Sequence, residues 1–363
     1  MCKIAEDKII IYGAGCCGAL FAELLLKSGL HAEVFFDKSP AKEGKRLMGL
    51  QIQQPVLLDA ESLVVVCILK KGKLYEEIAQ NLRQLGYKKI LHIYDLREEA
   101  WLFQEQSLVF APHKEQVQEN LFRYENLRKH LSDELSCRVL DSILRFLLED
   151  ADVEFPAFEI EEQYFAYDIY QKIENESVID CGAFRGDVMR IFLKKNKNLF
   201  AHYLAIEPDA AYLPFLQSTA KEYDKGKIEI KNCALSDKQE ILRMRNYAQE
   251  DSIVCKDGET QIEAYPLDDL LEGRACTFLK IDVEGYDKKV IQGARRLIYE
   301  QKPVIAVAAY HHEADFYEIF ELLQSIYPNY HFYLRSYMNF QETIIYAVPP
   351  WRLIKEEEHE IYK

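Results

Sequence analysis

Short apolar runs alternate with helical patterns along most of the chain, and many of the runs stop at a glycine or an acidic residue. One run ends at Val178-Ile179 and predicts a buried parallel strand. Gly182 and Gly186 follow it, and they predict a tight turn that brings the backbone close to a ligand. A helical pattern then starts at Val188. Repeats of this strand–turn–helix order over residues 160–350 predict an α/β fold built on a parallel sheet.

Three of the predicted strands in this region end in a carboxylate. Asp180 follows the first strand, and Glu207 ends the second. Asp282 ends a later strand that begins at Thr277. Ligands of open α/β sheets bind at the carboxyl ends of the strands, and a carboxylate there can accept hydrogen bonds from both hydroxyls of a ribose. The three acidic ends therefore predict a pocket for a cofactor with a ribose and a positive charge. S-adenosylmethionine has both, the charge residing on its amino group and its sulfonium.

These segments resemble the FkbM-type class I methyltransferases. The matching segments are VIDCGAFRGD (178–187), AIEPDAAY (205–212), NCALSD (232–237), YPLDDLL (265–271), LKIDVEGYDKKVIQGA (279–294), AAYHHEADF (308–316), YLRSY (333–337), ETIIYAV (342–348) and, upstream, Gln163–Phe165. The resemblance implies a Rossmann-like class I methyltransferase sheet, parallel but with a terminal antiparallel hairpin. It also implies S-adenosylmethionine-dependent methylation of a hydroxyl on a sugar, glycan or secondary metabolite.

The predicted cofactor pocket takes its residues from the strand ends and from the turns after them. The full set is Asp180, Gly182, Ala183, Gly186, Asp187, Glu207, Pro208, Ser236, Asp237 and Asp282. Simpler interpretations stay open for several of them. Asp180 can cap the following helix, and Glu207 can be an exposed carboxylate. Ser236 and Asp237, expected on the adenine side, can form a plain turn.

Three residues are candidates for the chemistry of methyl transfer. Asp282 and Glu284 belong to an Asp-Val-Glu-Gly element, which the resemblance marks as part of the active site. Paired carboxylates can position an acceptor or hold a divalent metal such as Mg²⁺, but they can also complement the dipole of the next helix. His311 follows the next strand end and can act as a base or as a metal ligand. The alternative is a structural histidine.

The nature of the accepting atom is predicted from a motif. Amino-methylating enzymes carry an (Asp/Asn)-Pro-Pro-aromatic motif at the place where this chain has IDVEG. The similar segment Val348-Pro-Pro-Trp351 lies after the last predicted strand and lacks the acidic or amide first residue. An oxygen acceptor is therefore favoured over an exocyclic nitrogen. Arg335 and Tyr337 are expected to face that acceptor.

A separate, shorter β-α-β pattern occupies residues 8–96. Gly13, Gly15 and Gly18 fit the dinucleotide fingerprint between a predicted strand and a predicted helix, and Asp37 comes about 20 residues later. The unit resembles the small Rossmann domains attached to sugar-modifying enzymes. Two interpretations stay open: a second nucleotide site, for NAD or a nucleotide-sugar, or a structural or docking domain. If this N-terminal nucleotide site carries the function, the methyltransferase-like domain that follows it is non-catalytic.

The predicted organisation has four parts. They are a small Rossmann-like domain (1–96), a mainly helical linker (97–160), the methyltransferase domain (161–350) and a charged tail (351–363). The linker carries an apolar stripe from Leu135 to Leu148 at helical spacing, which predicts a helix that packs as a bridge between the two domains.

Composition limits the partners. The formal net charge of −15 disfavours nucleic acid or an anionic membrane, both of which need a basic surface. The sequence shows neither a transmembrane run nor a secretory signal, so a cytoplasmic location is expected. The nine scattered cysteines predict reduced thiols rather than disulfides or a zinc site. The expected partner is a small-molecule or glycan acceptor, and the oligomeric state is left open.

Overall fold

The computed structural model describes residues 8–68, 72–96, 114–149, 153–196, 199–223, 226–247, 251–254, 258–271, 273–337 and 342–354. The chain divides into two compact units. The first lies within Met1–Gln118, Leu147–Asp152 and Asn246–Asp251, and the second within Glu119–Phe146, Val153–Arg245 and Ser252–Lys363. The domain boundaries that the sequence suggests stay predictions, and most of the expected charged tail lies outside the described residues.

The first unit is built on a six-stranded sheet. Its strands are β1 (Ile9–Tyr12), β2 (Ala32–Phe36), β3 (Arg46–Leu47), β4 (Leu50–Gln53), β5 (Leu63–Val66) and β6 (Lys89–His92), in the order β3-β4-β2-β1-β5-β6. The helices that begin in it are α1 (Cys16–Lys27), α2 (Lys73–Leu85) and α3 (Lys114–Glu119). Strand β3 pairs antiparallel with β4, and the other neighbours pair in parallel. The predicted parallel β-α-β core is confirmed, whereas the hairpin of β3 and β4 was not predicted.

Buried apolar side chains stabilise this sheet and the helix α2. All four residues of β1 and all four of β5 are buried, as expected for parallel strands that are covered on both faces. Helix α2 buries Ile78, Ala79 and Leu82 on one side. It ends at Gly86, whose φ of 112° is the left-handed conformation that commonly stops a helix.

The second unit contains the larger sheet. Its strands are β7 (Ser177–Cys181), β8 (His202–Ile206), β9 (Ile228–Lys231), β14 (Phe278–Ile281), β15 (Val304–Ala308), β16 (His331–Ser336) and β17 (Thr343–Val348), in the order β16-β17-β15-β14-β7-β8-β9. Strands β7, β8, β9, β14 and β15 pair in parallel, and β17 is antiparallel to both β15 and β16. The predicted parallel sheet with a terminal antiparallel hairpin is confirmed.

Helices and a smaller sheet complete this unit. The helices are α4 (Leu121–His130), α5 (Glu134–Glu149), which crosses the division between the units, α6 (Asp187–Asn196), α7 (Leu213–Tyr223), α8 (Leu267–Leu270), α9 (Asp287–Gly293), α10 (Arg295–Gln301) and α11 (Asp315–Ile326). The smaller sheet has β10 (Ala234–Leu235), β11 (Glu240–Tyr247), β12 (Asp251–Val254) and β13 (Thr260–Tyr265), in the order β10-β13-β11-β12. Strands β11 and β12 also cross the division between the units. Among the described residues, every helix is too short or too polar to cross a bilayer.

Arg335 on β16 ties the helical segment to the large sheet. Its side chain is buried, and Nη2 lies 2.6 Å from Asp133 Oδ2 and 2.8 Å from Asp168 Oδ2. Ser136 of α5 also accepts a hydrogen bond from Arg335 Nη1 at 3.0 Å. The expectation that Arg335 faces the acceptor is wrong, because these groups occupy the guanidinium inside the fold. The hydroxyl of Tyr337 is likewise bonded within the fold, 2.8 Å from the hydroxyl of Tyr346.

Replacing Arg335 with methionine is expected to lower the free energy of unfolding of the second unit by roughly 3 kcal/mol. The change leaves two partly buried carboxylates, Asp133 and Asp168, without their cation. Chemical denaturation followed by circular dichroism measures the loss. The exposed Arg295 of α10 provides the matched control, and Arg295→Met should change the stability by less than about 0.5 kcal/mol. Equal stability of the two variants would contradict this role of Arg335.

Candidate active site

The glycine turn after β7 is shaped by the strand beside it. Gly182 has a φ of 79°, and a Cβ at this position would overlap the carbonyl oxygen of Asp282 in the loop after β14. Gly186 has a φ of 78° and precedes α6. These two glycines are required by backbone conformation, and at Gly182 also by the close approach of two loops. The structure therefore brings the predicted turn and Asp282 together at one edge of the sheet. Ala183, between the two glycines, is buried.

Asp180 is fully buried at the end of β7 and is bound by the protein itself. Lys280 Nζ lies 3.1 Å from Asp180 Oδ1, and the Tyr203 hydroxyl donates to Oδ2 at 2.7 Å. Lys280 also donates to the carbonyl oxygen of Gly182 at 2.5 Å. The carboxylate thus fixes the turn through Lys280, and it does not cap α6. A direct contact between Asp180 and a cofactor stays a prediction.

Glu207 places its carboxylate against the same turn. Oε2 accepts a hydrogen bond from the backbone N–H of Phe184 at 2.7 Å, and Oε1 accepts one from the N–H of Asp209 at 2.8 Å. The residue is only 5% exposed. Burial raises the pKa of the Glu207 carboxyl to about 7, although the two backbone donors act in the opposite direction. It is therefore a fixed acceptor beside the turn, not the exposed carboxylate of the simpler interpretation.

The other predicted cofactor residues lie in the segments around this edge. Asp187 is the first residue of α6 and pairs with Arg190, and the carbonyl oxygen of Pro208 accepts from Asn232 at 2.9 Å. Ser236 is buried, and its hydroxyl donates to Glu240 at 2.6 Å. Asp237 is exposed beside it. The roles predicted for this group stay predictions.

Asp282 is the centre of a network of polar side chains. The Tyr164 hydroxyl donates to Oδ2 at 2.6 Å, and the Tyr310 hydroxyl lies 3.3 Å from the same oxygen. Burial opposes ionisation, but Lys280 and His311 hold the pKa of the Asp282 carboxyl below its usual value. Tyr164 has a φ of 65°, in the left-handed region that a bulky residue rarely adopts. Such strain is concentrated at functional sites.

His311 lies among three carboxylates. Its Nδ1 is 3.0 Å from Asp287 Oδ2, and its Nε2 is 3.5 Å from Asp282 Oδ1 and 3.6 Å from Glu284 Oε2. Burial lowers the pKa of the imidazole, but Asp287, Glu284 and Asp282 together raise it well above its usual value. The three carboxylates therefore favour the protonated ring as long as no other cation lies between them. The structure brings the three predicted catalytic residues together, and the role of His311 as a base or a metal ligand stays a prediction.

Glu342 belongs to this site and was missed by the sequence analysis. It precedes β17, which runs antiparallel to β15, so the start of β17 lies beside the carboxyl end of β15. Gln163 Nε2 donates to Glu342 Oε2 at 2.6 Å. Burial, followed by the charge of Asp282, raises the pKa of Glu342 to about 7, while hydrogen bonds from Gln163 and Tyr310 lower it. The sequence pattern that predicts site residues looks for acidic residues after a strand. Glu342 comes before its strand, so that pattern does not find it.

The glycine loop of the first unit has a different arrangement. A Cβ on Gly13 or Gly18 would overlap backbone atoms, whereas a Cβ on Gly15 would meet open space. Asp37 Oδ2 accepts from the Ala14 N–H at 3.0 Å and lies 3.2 Å from Lys42 Nζ. The predicted fingerprint therefore has its turn and its acidic residue side by side. Nucleotide binding by this loop stays a prediction.

Comparisons with known proteins give a family match and a shared fold. Residues 180–340 match the family model described as "Methyltransferase FkbM domain". The crystal structure of an FkbM methyltransferase from Methylobacillus flagellatus KT is similar over 94% of this chain and 90% of that chain, with a TM-score of 0.70 and 23% identity, which shows a shared fold. The search of curated proteins gave no significant match.

Two further solved structures match only weakly. One is a UDP-D-quinovosamine 4-dehydrogenase from Vibrio fischeri, which is 25% identical over 24% of this chain and 78% of that chain, with a TM-score of 0.22. The other is a precorrin-6y C5,15-methyltransferase from Geobacter metallireducens. It is 14% identical over 52% of this chain and 85% of that chain, with a TM-score of 0.32. Scores this low carry no argument about function. Residues 180–340 therefore match the methyltransferase domain of the FkbM family, and the chain shares the fold of a solved FkbM methyltransferase.

Proposed function

We propose that the chain is an S-adenosylmethionine-dependent O-methyltransferase that acts on a hydroxyl of a sugar, glycan or secondary metabolite. One observation carries the proposal: Glu207 is held against the glycine turn, and the same turn lies against the loop of Asp282. A ribose acceptor and a cluster of acid–base groups thus share one edge of a class I methyltransferase sheet. The class of acceptor comes from the resemblance of the sequence to FkbM-type enzymes.

The residues present fit this cofactor. Glu207 offers oxygens to the ribose hydroxyls, and Gly182 and Gly186 keep the turn free of side chains where the cofactor must approach. When bound, S-adenosylmethionine supplies an electrophilic methyl group. The acceptor oxygen forms a bond to the methyl carbon, the carbon–sulfur electron pair leaves with sulfur, and the hydroxyl proton must pass to a base.

Glu342 is the group best suited to take that proton. Its pKa of about 7 makes it a base that is partly ionised at neutral pH, as general-base catalysis requires. Without a metal ion, the neighbouring carboxylates favour the cationic form of His311, which suits electrostatic stabilisation better than proton removal. The Tyr310 hydroxyl lies within reach of both Glu342 and Asp282, and so links the base to the rest of the cluster.

Transfer of a radiolabelled methyl group tests this function directly. The full chain is incubated with methyl-labelled S-adenosylmethionine and with separate pools of neutral glycans, hydroxylated small molecules and amines. Label should enter the hydroxyl-bearing pools and should resist conditions that cleave methyl esters. Labelling of the amine pool alone would overturn the assignment to oxygen. Binding of NAD to wild-type protein, with neither S-adenosylhomocysteine binding nor methyl transfer, would favour the alternative in which the first unit carries the function.

The raised pKa of Glu207 predicts a pH-dependent affinity for S-adenosylhomocysteine. An ionised carboxylate accepts both ribose hydroxyls, whereas a protonated one must first lose its proton. With a pKa of about 7, binding should be full at pH 8 and about tenfold weaker at pH 6. Isothermal titration calorimetry at the two pH values measures the ratio. Glu207→Gln should remove the dependence, and an affinity of wild type that does not change between pH 6 and 8 would contradict the assignment.

A further inference from the structure

We propose that Asp282, Glu284 and His311 bind a divalent cation between the loop after β14 and the loop after β15. One potential ligand atom from each residue lies within 4.8 Å of the other two, a spacing at which one ion can contact all three. Two of the residues follow β14 and the third follows β15, and these strands are neighbours in the sheet. The binding of the ion is independent of the proposed function, but its use in methyl transfer rests on that function.

The imidazole of His311 is the strongest indication of a ligand. Its side chain is 10% exposed, and its Nε2 has no hydrogen-bond partner although the atom is buried. That nitrogen is aimed at the two carboxylates, 3.5 Å from Asp282 Oδ1 and 3.6 Å from Glu284 Oε2. These distances are longer than hydrogen bonds, so the direct contacts leave Nε2 unsatisfied. A cation between the three groups would satisfy it.

Asp287 holds the ring in the orientation that coordination requires. Its Oδ2 lies 3.0 Å from His311 Nδ1, and the residue is 1% exposed. A metal-bound histidine usually donates its other ring N–H to a carboxylate, which fixes the tautomer and directs the free nitrogen at the ion. Asp287 is itself fixed by the N–H groups of Val283 and Gly285, each at 3.1 Å. It is therefore a positioning residue.

Backbone conformation and charge favour the same site. Glu284 has a φ of 53°, a left-handed conformation that is costly for a residue with a Cβ, and it brings the carboxylate to within 3.6 Å of the ring. Asp282, Glu284 and Asp287 put three carboxylates around one imidazole, so even a protonated ring leaves a formal excess of two negative charges. The nearby cation Lys280 is engaged by Asp180 at 3.1 Å. A divalent cation would offset that excess.

The donor set indicates the kind of ion. Two carboxylates and one imidazole suit Mn²⁺, which takes both oxygen and imidazole ligands, better than Mg²⁺, which strongly prefers oxygen. Three protein ligands leave coordination positions for water or for the oxygens of an acceptor. An acceptor hydroxyl bound there would lose its proton more readily, and Glu342 lies in the same side-chain network to receive it.

Mn²⁺ alone is the probe for this site. Electron paramagnetic resonance titration of the full-length wild-type protein should show one bound Mn²⁺ per chain, and electron spin echo modulation should show a coupled nitrogen from His311. Glu284→Gln and His311→Gln should each weaken Mn²⁺ binding about tenfold or more, and His311→Gln should also remove the nitrogen signal. Asp287→Asn should weaken binding without removing the nitrogen ligand. Glu300→Gln on α10, an exposed carboxylate outside the cluster, should bind Mn²⁺ like wild type.

The outcomes separate this inference from the proposed function. S-adenosylhomocysteine binding is measured on the same samples, because it depends on Glu207 and reports whether each variant has folded. Normal S-adenosylhomocysteine binding without Mn²⁺ binding in wild type would overturn the metal site and leave the methyltransferase assignment intact. Mn²⁺ binding that persists unchanged in Glu284→Gln and His311→Gln would overturn it as well, since the ion would lie elsewhere.

Discussion

Replacing Glu342 with glutamine is expected to lower the rate of methyl transfer by about 10² to 10⁴, the usual contribution of a general base. The change keeps the size of the side chain and its contact with Gln163, but it removes the carboxylate whose pKa lies at about 7. Binding of S-adenosylhomocysteine should be unchanged, because Glu207 and the glycine turn are untouched. Transfer of a labelled methyl group to the acceptor found in the screen measures the rate.

The pH profile separates a base from a structural carboxylate. Wild-type kcat should rise with pH through about 7 as Glu342 ionises, and the residual activity of Glu342→Gln should lack that step. Glu342→Asp should recover part of the rate, since it restores a carboxylate at a longer reach. A glutamine variant with the wild-type rate and the wild-type pH profile would show that another group takes the proton.

Replacing Glu207 with alanine is expected to weaken S-adenosylhomocysteine binding by about 10² to 10⁴. Two hydrogen bonds from ribose hydroxyls to a carboxylate contribute about 1.5 to 3 kcal/mol each, and the substitution removes both acceptor oxygens. The titration is carried out at pH 8, where the carboxylate is ionised. Calorimetry gives the affinity and the stoichiometry together.

Two further variants control for the structural contacts of Glu207. The carboxylate also accepts from the N–H groups of Phe184 and Asp209, so the alanine variant could disturb the turn itself. Glu207→Gln keeps an acceptor oxygen for the turn and should give an intermediate loss. Glu284→Gln, on the other side of Asp282, should bind S-adenosylhomocysteine like wild type. Wild-type affinity in Glu207→Ala would place the ribose elsewhere.

The parts of the site that could be predicted are those that follow parallel strands. A buried apolar run predicts a strand, and the next polar residue then falls at the carboxyl edge, as Asp180, Glu207 and Asp282 do. Gly182 could be predicted for the same reason, since its turn follows directly from the strand. Local sequence is sufficient to predict which residues lie at this edge, because the chain direction of parallel strands fixes which end of each strand meets it.

Residues that reach the site by another route could not be predicted in this way. Glu342 lies at the start of an antiparallel strand, so its place depends on the pairing of β17 with β15. Tyr164 reaches Asp282 across 118 positions of sequence, through a loop with a positive φ. Tyr310 does follow the parallel strand β15, but it binds Asp282 through a neutral hydroxyl, which a search for acidic residues and histidine does not find.

Arg335 illustrates the opposite error. An arginine near the end of a strand suggested a substrate contact, but its partners Asp133 and Asp168 lie 202 and 167 positions away in the sequence. Only tertiary structure brings them to the guanidinium. Strands β3 and β4 were missed because they are two and four residues long and mostly exposed or half-buried, which leaves almost no hydrophobic pattern.

Calorimetric titration of the full-length protein with S-adenosylhomocysteine at pH 8 tests the central claim most directly. We expect one site per chain with micromolar affinity for wild type, and loss of measurable binding in Glu207→Ala at the same protein concentration. A wild-type protein that is folded by circular dichroism but binds no S-adenosylhomocysteine would contradict the account.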